Sequence, residues 1–353
     1  MAELLDRIQE RALQLDVLLN LHIDLTYRCN ERCVHCYLDH NSRDDLSLTD
    51  LERVFAQARE LGTLFLTLSG GEPMLRRDFM EILELACGSG FAVKLKTNGT
   101  MIGDAESSAM RDLGVSEVQI SVYSDRAELH DRITKLPGSF ERTLRAIRLL
   151  RSKNISVAIA DPLMKANIED YPQVRKLAEE VGARFTIDPT ITPMINGDTD
   201  LSGHRISPSS LRFLYGDPTL VGDPQEFCRP VTPAADLMDY VPCSAGHSAA
   251  YIDPHGSVTP CVQFPLACGN VRHESLVTIW RQSPVLLDVR SIRLKDLSTC
   301  SSCDLIAGCN RCPGLAYMEG NLRGPSSIDC EKSAIRFQRV PSGSLIQISM
   351  GPA

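Results

Sequence analysis

The placement of cysteine constrains this chain more than any other feature. Of thirteen cysteines, three fall between Cys29 and Cys36 and nine between Cys228 and Cys330, and only Cys87 stands alone. A chain of 353 residues needs no disulfide staples for stability. Residues 1–11 carry Glu3, Asp6, Arg7, Glu10 and Arg11 in place of the apolar core of a secretory signal. A reducing, cytoplasmic setting is therefore expected, where clustered cysteines point to metal. No run approaches the roughly 18 uninterrupted apolar residues of a membrane span. A net charge of −8 supplies no basic face for nucleic acid.

Between the two cysteine groups, strand-like runs alternate with amphipathic helical patterns. Strands are expected over Leu21–Tyr27, Thr63–Leu68, Phe91–Thr97, Val115–Val122, Ile155–Ala160 and Arg184–Asp188. Helices are expected over Ser47–Leu61, Arg77–Gly88, Ala105–Leu113, Phe140–Lys153 and Ile168–Val181. Such alternation implies an α/β fold of parallel units, closed or partly closed into a barrel. The expected order is an N-terminal segment (1–20), the barrel (21–190), a Pro- and Gly-rich linker (191–236) with a short helix near Ser207–Leu214, a cysteine-dense domain (237–335) and a tail (336–353).

Cys29, Cys33 and Cys36 form a C-x3-C-x2-C group just after the first strand. Three thiolates on one loop can hold three irons of a 4Fe–4S cube and leave the fourth open to a ligand, whereas most such carriers use four cysteines. A zinc site completed by His35 or His40 is the competing reading.

With Tyr37 following, this group resembles the signature of the radical S-adenosylmethionine (SAM) superfamily. Gly70-Gly71-Glu72-Pro73 is similar to the segment whose backbone receives the amino group of SAM, although a plain strand-to-helix turn uses the same residues. Thr97 and Asn98 resemble that family's segment at the end of the third strand, and Ser121 resembles its ribose-binding serine. The stretch from His130 to Phe140 is similar to a family motif, but Thr134 stands where an arginine often meets the SAM carboxylate. Lys135, or Arg132, is the expected substitute. The resemblance implies a partial (β/α)6 barrel and reductive cleavage of SAM to a 5′-deoxyadenosyl radical that abstracts a substrate hydrogen.

The second group reads as C-x12-G-x4-C from Cys243 through Gly256 to Cys261, then C-x2-C-x5-C-x2-C over Cys300, Cys303, Cys309 and Cys312, with Cys330 closing it. Two zinc sites would also use such spacing. With Gly269-Asn270-Val271-Arg272 and Ile279-Trp280, it resembles the SPASM extension, a small cysteine-rich domain that binds two auxiliary clusters. One departure is that two residues, not the usual three, separate Cys309 from Cys312. The resemblance implies three 4Fe–4S clusters in all, with SAM on the first. Cys300, Cys303, Cys309 and Cys330 would hold the outer auxiliary cluster, and Cys243, Cys261 and Cys312 the inner. Its fourth ligand would be Cys228, with Cys268 or an open iron as the alternatives. Cys87 reads as a small buried hydrophobe.

By resemblance, the substrate is a ribosomally made peptide that is crosslinked, epimerised or oxidised at a side chain. Dehydrogenation or rearrangement of a small molecule is one alternative, and an electron carrier without SAM turnover another. Implied partners are the peptide and an external electron donor such as flavodoxin or ferredoxin. The short segment before the first strand leaves no room for a leader-binding domain, so a separate leader-binding protein or an exposed surface is expected. No catalytic acid or base is assigned among His22, His35, His204 and His247.

Overall fold

The computed structural model describes residues 2–40 and 44–337; the expected tail lies outside them from residue 338 onward. The chain forms two compact units. The first runs to Arg205 and includes Ser244–Leu287, and the second comprises Ile206–Cys243 and the residues from Asp288 onward.

The first unit is built on one sheet. Its strands are β1 (Asn20–Asp24), β2 (Phe65–Ser69), β3 (Ala92–Thr97), β4 (Glu117–Ser121), β5 (Val157–Pro162), β6 (Arg184–Asp188), β7 (Ala249–Ile252), β8 (Ser257–Thr259) and β9 (Gly269–Asn270). Their order is β6-β5-β4-β3-β2-β1-β7-β8-β9. The six strands expected from sequence are consecutive and parallel, with helices at each crossover. Edges remain at β6 and β9, so the barrel is partial.

Alternation along the strands sorts the two faces. Leu21, Ile23, Leu66, Leu68, Val93, Leu95, Val118 and Ile120 are buried in one core with the helices. Each such side chain contributes about 1.5–3 kcal/mol by leaving water. The intervening positions, including His22, Asp24, Thr67, Lys94, Lys96, Glu117, Gln119 and Ser121, form a polar inner face. Helix Leu48–Glu60 starts on a capping box in which Ser47 Oγ accepts from Asp50 N and the Asp50 carboxylate accepts from Ser47 N, each at 3.1 Å.

The division of the chain differs from the expected domain order. Residues 244–287 extend the first unit: β7 pairs in parallel with β1, and β8 and β9 continue the sheet antiparallel. Ala250, Ile252, Val258, Val271, Ile279 and Trp280 enter the same core. Trp280 Nε1 donates to Asp16 O at 2.7 Å, and Arg53 donates to Val271 O at 2.8 Å. Strands of two to four residues are too short to leave a periodic signal, which is why they read as loop. Part of the expected linker is helical and belongs to the second unit, as Pro208–Tyr215, Pro218–Val221 and Pro224–Phe227. Two helices, Ala2–Gln14 and Ala127–Thr134, were not expected.

The second unit relies on turns and single contacts. A small cluster of Ile292, Leu294, Leu297, Cys300 and Ile306 is its core. Arg336 of helix Ser327–Arg336 stacks on Phe227, with its guanidinium 4.1 Å from the ring centre, and donates to Phe227 O at 2.8 Å and Gly308 O at 3.1 Å.

Candidate active site

Three segments meet at the ends of β1, β2 and β3. Gly71 N donates to Thr26 O at 2.7 Å and Glu72 N to Arg28 O at 2.8 Å, which lays the Gly70–Pro73 segment against the start of the cysteine loop. Gly70 has φ +135, and a Cβ there would collide with Thr26 O; a Cβ on Gly71 would collide with Arg28 O. Only glycine allows this approach. Glu72 is fully buried. It accepts from Thr97 Oγ1 at 2.8 and 2.9 Å, Asn98 N at 2.9 Å and Met74 N at 3.1 Å. Asn98 Nδ2 in turn donates to Asn30 Oδ1, and Asn30 Nδ2 to Thr100 Oγ1, both at 2.8 Å. Glu72, Thr97 and Asn98 are thus one polar frame around the cysteine loop. Asn30, its hinge, went unnoticed in sequence because it belongs to no spacing pattern.

The same loop closes a helix end. Arg32 N donates to Thr134 O at 2.9 Å and Val34 N to Ile133 O at 3.0 Å, satisfying carbonyls that the last turn of helix Ala127–Thr134 cannot pair internally. Lys135 then reverses the chain at φ 56. Asp131 caps helix Ser139–Ser152 by accepting from Gly138 N, from Ser139 Oγ and from Phe140 N, the last two at 2.9 Å. Thr134 Oγ1 bonds Ser139 Oγ at 2.8 Å. The His130–Phe140 stretch is therefore a brace for the loop, and Lys135 stands exposed at its turn.

Cys29, Cys33 and Cys36 are partly buried on this loop. Burial pushes the Cys29 thiol up to about 12 and raises Cys33 and Cys36 as well. Buried Glu31 sits between them: one oxygen accepts from Cys33 Sγ at 3.3 Å, and the other has no hydrogen-bond partner among the described residues. Holding three such thiols as thiolates requires positive charge in their midst, which the irons of a cluster would supply, so the loop fits a cluster.

Ser121 ends β4, and Tyr123 follows, with its hydroxyl 3.8 Å from Cys33 Sγ. On the inner face, buried Asp24 accepts from Tyr251 Oη at 2.8 Å and bonds His22 Nε2 at 3.1 Å; Tyr27 Oη lies 3.2 Å from Tyr251 Oη. Burial raises the Tyr37 phenol, with Asp24, Cys36, Tyr27 and Cys261 as nearby groups acting on it.

In the second unit, Cys309, Cys300 and Cys303 all act electrostatically on Cys330, and burial pushes the Cys330 thiol up to about 11. Cys243 similarly acts on Cys312, whose N–H donates to buried Asp329 at 2.7 Å. Cys228 Sγ instead lies 3.9 Å from Tyr215 O. Cys268 is buried in the hydrophobic core of the first unit, and Cys87 packs against the same core.

The fold and these sites define an iron–sulfur protein that binds SAM on a partial barrel. The Radical SAM superfamily model matches residues 23–178, and the SPASM model, described as an iron–sulfur cluster-binding domain, matches residues 243–313. The chain belongs to the radical SAM superfamily and is an enzyme of its SPASM-containing branch. It is 27% identical to the AdoMet-dependent heme synthase of Oleidesulfovibrio alaskensis, over 82% of this chain and 81% of that protein. It is likewise 27% identical to the mycofactocin maturase MftC of Mycobacterium tuberculosis, over 84% of this chain and 78% of that one. The crystal structure of Streptococcus suis SuiB bound to the precursor peptide SuiA superposes with a TM-score of 0.71 at 19% identity, covering 92% of this chain and 79% of SuiB. Among the described residues, no helix is long and apolar enough to cross a membrane.

Proposed function

We infer that this enzyme cleaves SAM reductively and uses the product to oxidise a ribosomally made peptide. The observation that carries the SAM half is the frame joining Glu72, Thr97 and Asn98 to the cysteine loop, since it brings three separate SAM-binding segments to one place. Bound cluster and SAM would supply an electron and a 5′-deoxyadenosyl radical; the chain supplies position. Cys29, Cys33 and Cys36 hold the first cluster, and Tyr37 flanks it. The backbone of Gly70–Pro73 receives the SAM amino group, Thr97 and Asn98 shape its pocket, and Ser121 meets the ribose. Lys135 is the candidate for the SAM carboxylate.

Two further clusters complete a set of three. Cys300, Cys303, Cys309 and Cys330 form one ligand set, which their mutual electrostatic reach supports. Cys243, Cys261 and Cys312, with Cys228, belong to the other. A net oxidation needs an outlet for the second electron, and auxiliary clusters provide one. Flavodoxin or ferredoxin serves as the external donor, a separate protein presents the leader, and the cytoplasm keeps the thiols reduced.

The peptide half is supported by the mycofactocin maturase relative and by the fold shared with SuiB. The heme synthase relative favours a second reading, oxidation of a small molecule. Co-expression with each short open reading frame beside the gene, read by peptide mass, separates the two. Reconstituted protein that forms no 5′-deoxyadenosine from SAM and reductant would instead be an electron carrier, and the proposal would fall.

A further inference from the structure

The inner face carries its charges in two layers. In the lower layer, Lys94 on β3 meets Glu117 on β4 at 2.8 Å, and Arg184 on β6 reaches the same carboxylate at 2.9 Å, over β5 where Ala158 pairs with Arg184. Two residues further along β3, Lys96 repeats the orientation of Lys94 but pairs in register with Gln119, which offers no charge. Lys96 is half-buried, and among the described residues it makes no hydrogen bond or ion pair. Asp24 is already engaged by Tyr251 and His22. Asp188, Lys94 and the Cys261 thiol are the other groups acting on Lys96.

A half-buried cation with no hydrogen-bonded or ion-paired partner of its own adds little to the stability of the fold. Its location supplies the reason for keeping it. Asn98 and Ser121 each lie two residues beyond the Lys96–Gln119 pair, so the layer expected to hold SAM begins about 7 Å further along the strands. Lys96 is one layer beneath it, on the face that a hydrogen-donating substrate must share. Neighbouring Asp24, Tyr251 and Tyr27 can hydrogen-bond the rest of a polar group placed there.

We propose that Lys96 receives a carboxylate of the substrate and fixes it on the inner face beneath SAM. The inference rests on the SAM-binding layer given under Proposed function and holds for a peptide or a smaller acid. In a peptide, the carboxylate is either an Asp or Glu side chain or the free C-terminus.

The test titrates reconstituted, SAM-loaded holoenzyme by calorimetry with five probes. These are propionate, propionamide, acetyl-Ala-Glu-Ala-amide, acetyl-Ala-Gln-Ala-amide and acetyl-Ala-Gln-Ala with a free C-terminus. Each carboxylate should bind about tenfold or more tightly than its neutral counterpart, the scale of one charge-assisted hydrogen bond. Lys96→Met should erase the preference and Lys96→Arg should keep most of it, with SAM affinity unchanged in both. The better-bound peptide identifies side chain or C-terminus. Preference for propionate without binding of any peptide keeps the inference and removes the peptide reading. Binding without preference, a preference that survives Lys96→Met, or no binding at all would overturn it. So would a tenfold loss of SAM affinity in Lys96→Met, which would give the cation to SAM itself. Because no hydrogen bond or ion pair is being removed, Lys96→Met should melt close to wild type; a clearly lower melt would mark Lys96 as structural and equally end the proposal.

Discussion

The two cysteine regions are built in opposite ways. The loop carrying Cys29, Cys33 and Cys36 is held by partners from the ends of three strands and one helix: Thr26 and Arg28 carbonyls, Glu72, Asn98, and the terminal carbonyls of helix Ala127–Thr134. The region from Cys300 to Cys330 has short turns, a core of five residues, and Arg311 donating to Gly324 O at 2.7 Å. Ordinary protein contacts shape the first region. The second is built from turns and two short helices around many more thiols, so its order is expected to lean more heavily on what those thiols bind.

The sharpest way to break this contrast is to replace Cys29, Cys33 and Cys36 together by Ala. Formation of 5′-deoxyadenosine should vanish, while the melting temperature of the first unit stays within a few degrees and iron remains at the second cysteine group. Iron removal by an anaerobic chelator is the complementary experiment. Hydrogen exchange should rise strongly across residues 294–337 and little across β1–β5; equal loss in both would erase the distinction.

Smaller effects probe the frame of the first site. Gly71→Ala forces a Cβ onto Arg28 O, and a cost of about 1–3 kcal/mol with a measurable fall in SAM affinity is expected. Glu72→Ala leaves the Thr97, Asn98 and Met74 donors unmatched, at about 1–3 kcal/mol per buried group, read by denaturant midpoint. The smallest effect is at Asp131. Burial pushes its carboxyl up, but the Phe140 and Gly138 N–H groups and Ser139 outweigh it and hold it below its usual range. Its contribution is therefore present above the unfolded carboxylate pKa of about 3.9 and is lost as pH falls through the depressed folded value. Asp131→Asn should lower stability modestly at neutral pH and flatten the further loss as pH falls below about 4, where the carboxylate would protonate.

Spacing made the cysteines legible, because the loop's chemistry is written in three positions that no fold alone demands. The parallel strand order was legible for the same reason that helices were: each element is long enough to repeat its period. The polar inner face is equally visible in Leu21-His22-Ile23-Asp24 and Val93-Lys94-Leu95-Lys96. Alternation of charge with Leu and Val is the mark of a sheet that faces a polar interior. Tyr251 was beyond reach, since nothing local announces that a four-residue strand from the C-terminal half will pair with β1. The structure gives most of the His130–Phe140 stretch a bracing task.

The bonds from Arg32 and Val34 to Thr134 and Ile133 also impose an order in time. A ribosome delivers the three thiols long before it delivers the carbonyls that shape their loop, and domains tend to form as whole units during synthesis. Iron offered to the nascent segment meets thiols without a mould and is open to any stray oxidant. A loop with this shape is therefore complete only after β4 and the helix following it have joined the sheet, and cluster delivery is expected to come after that point.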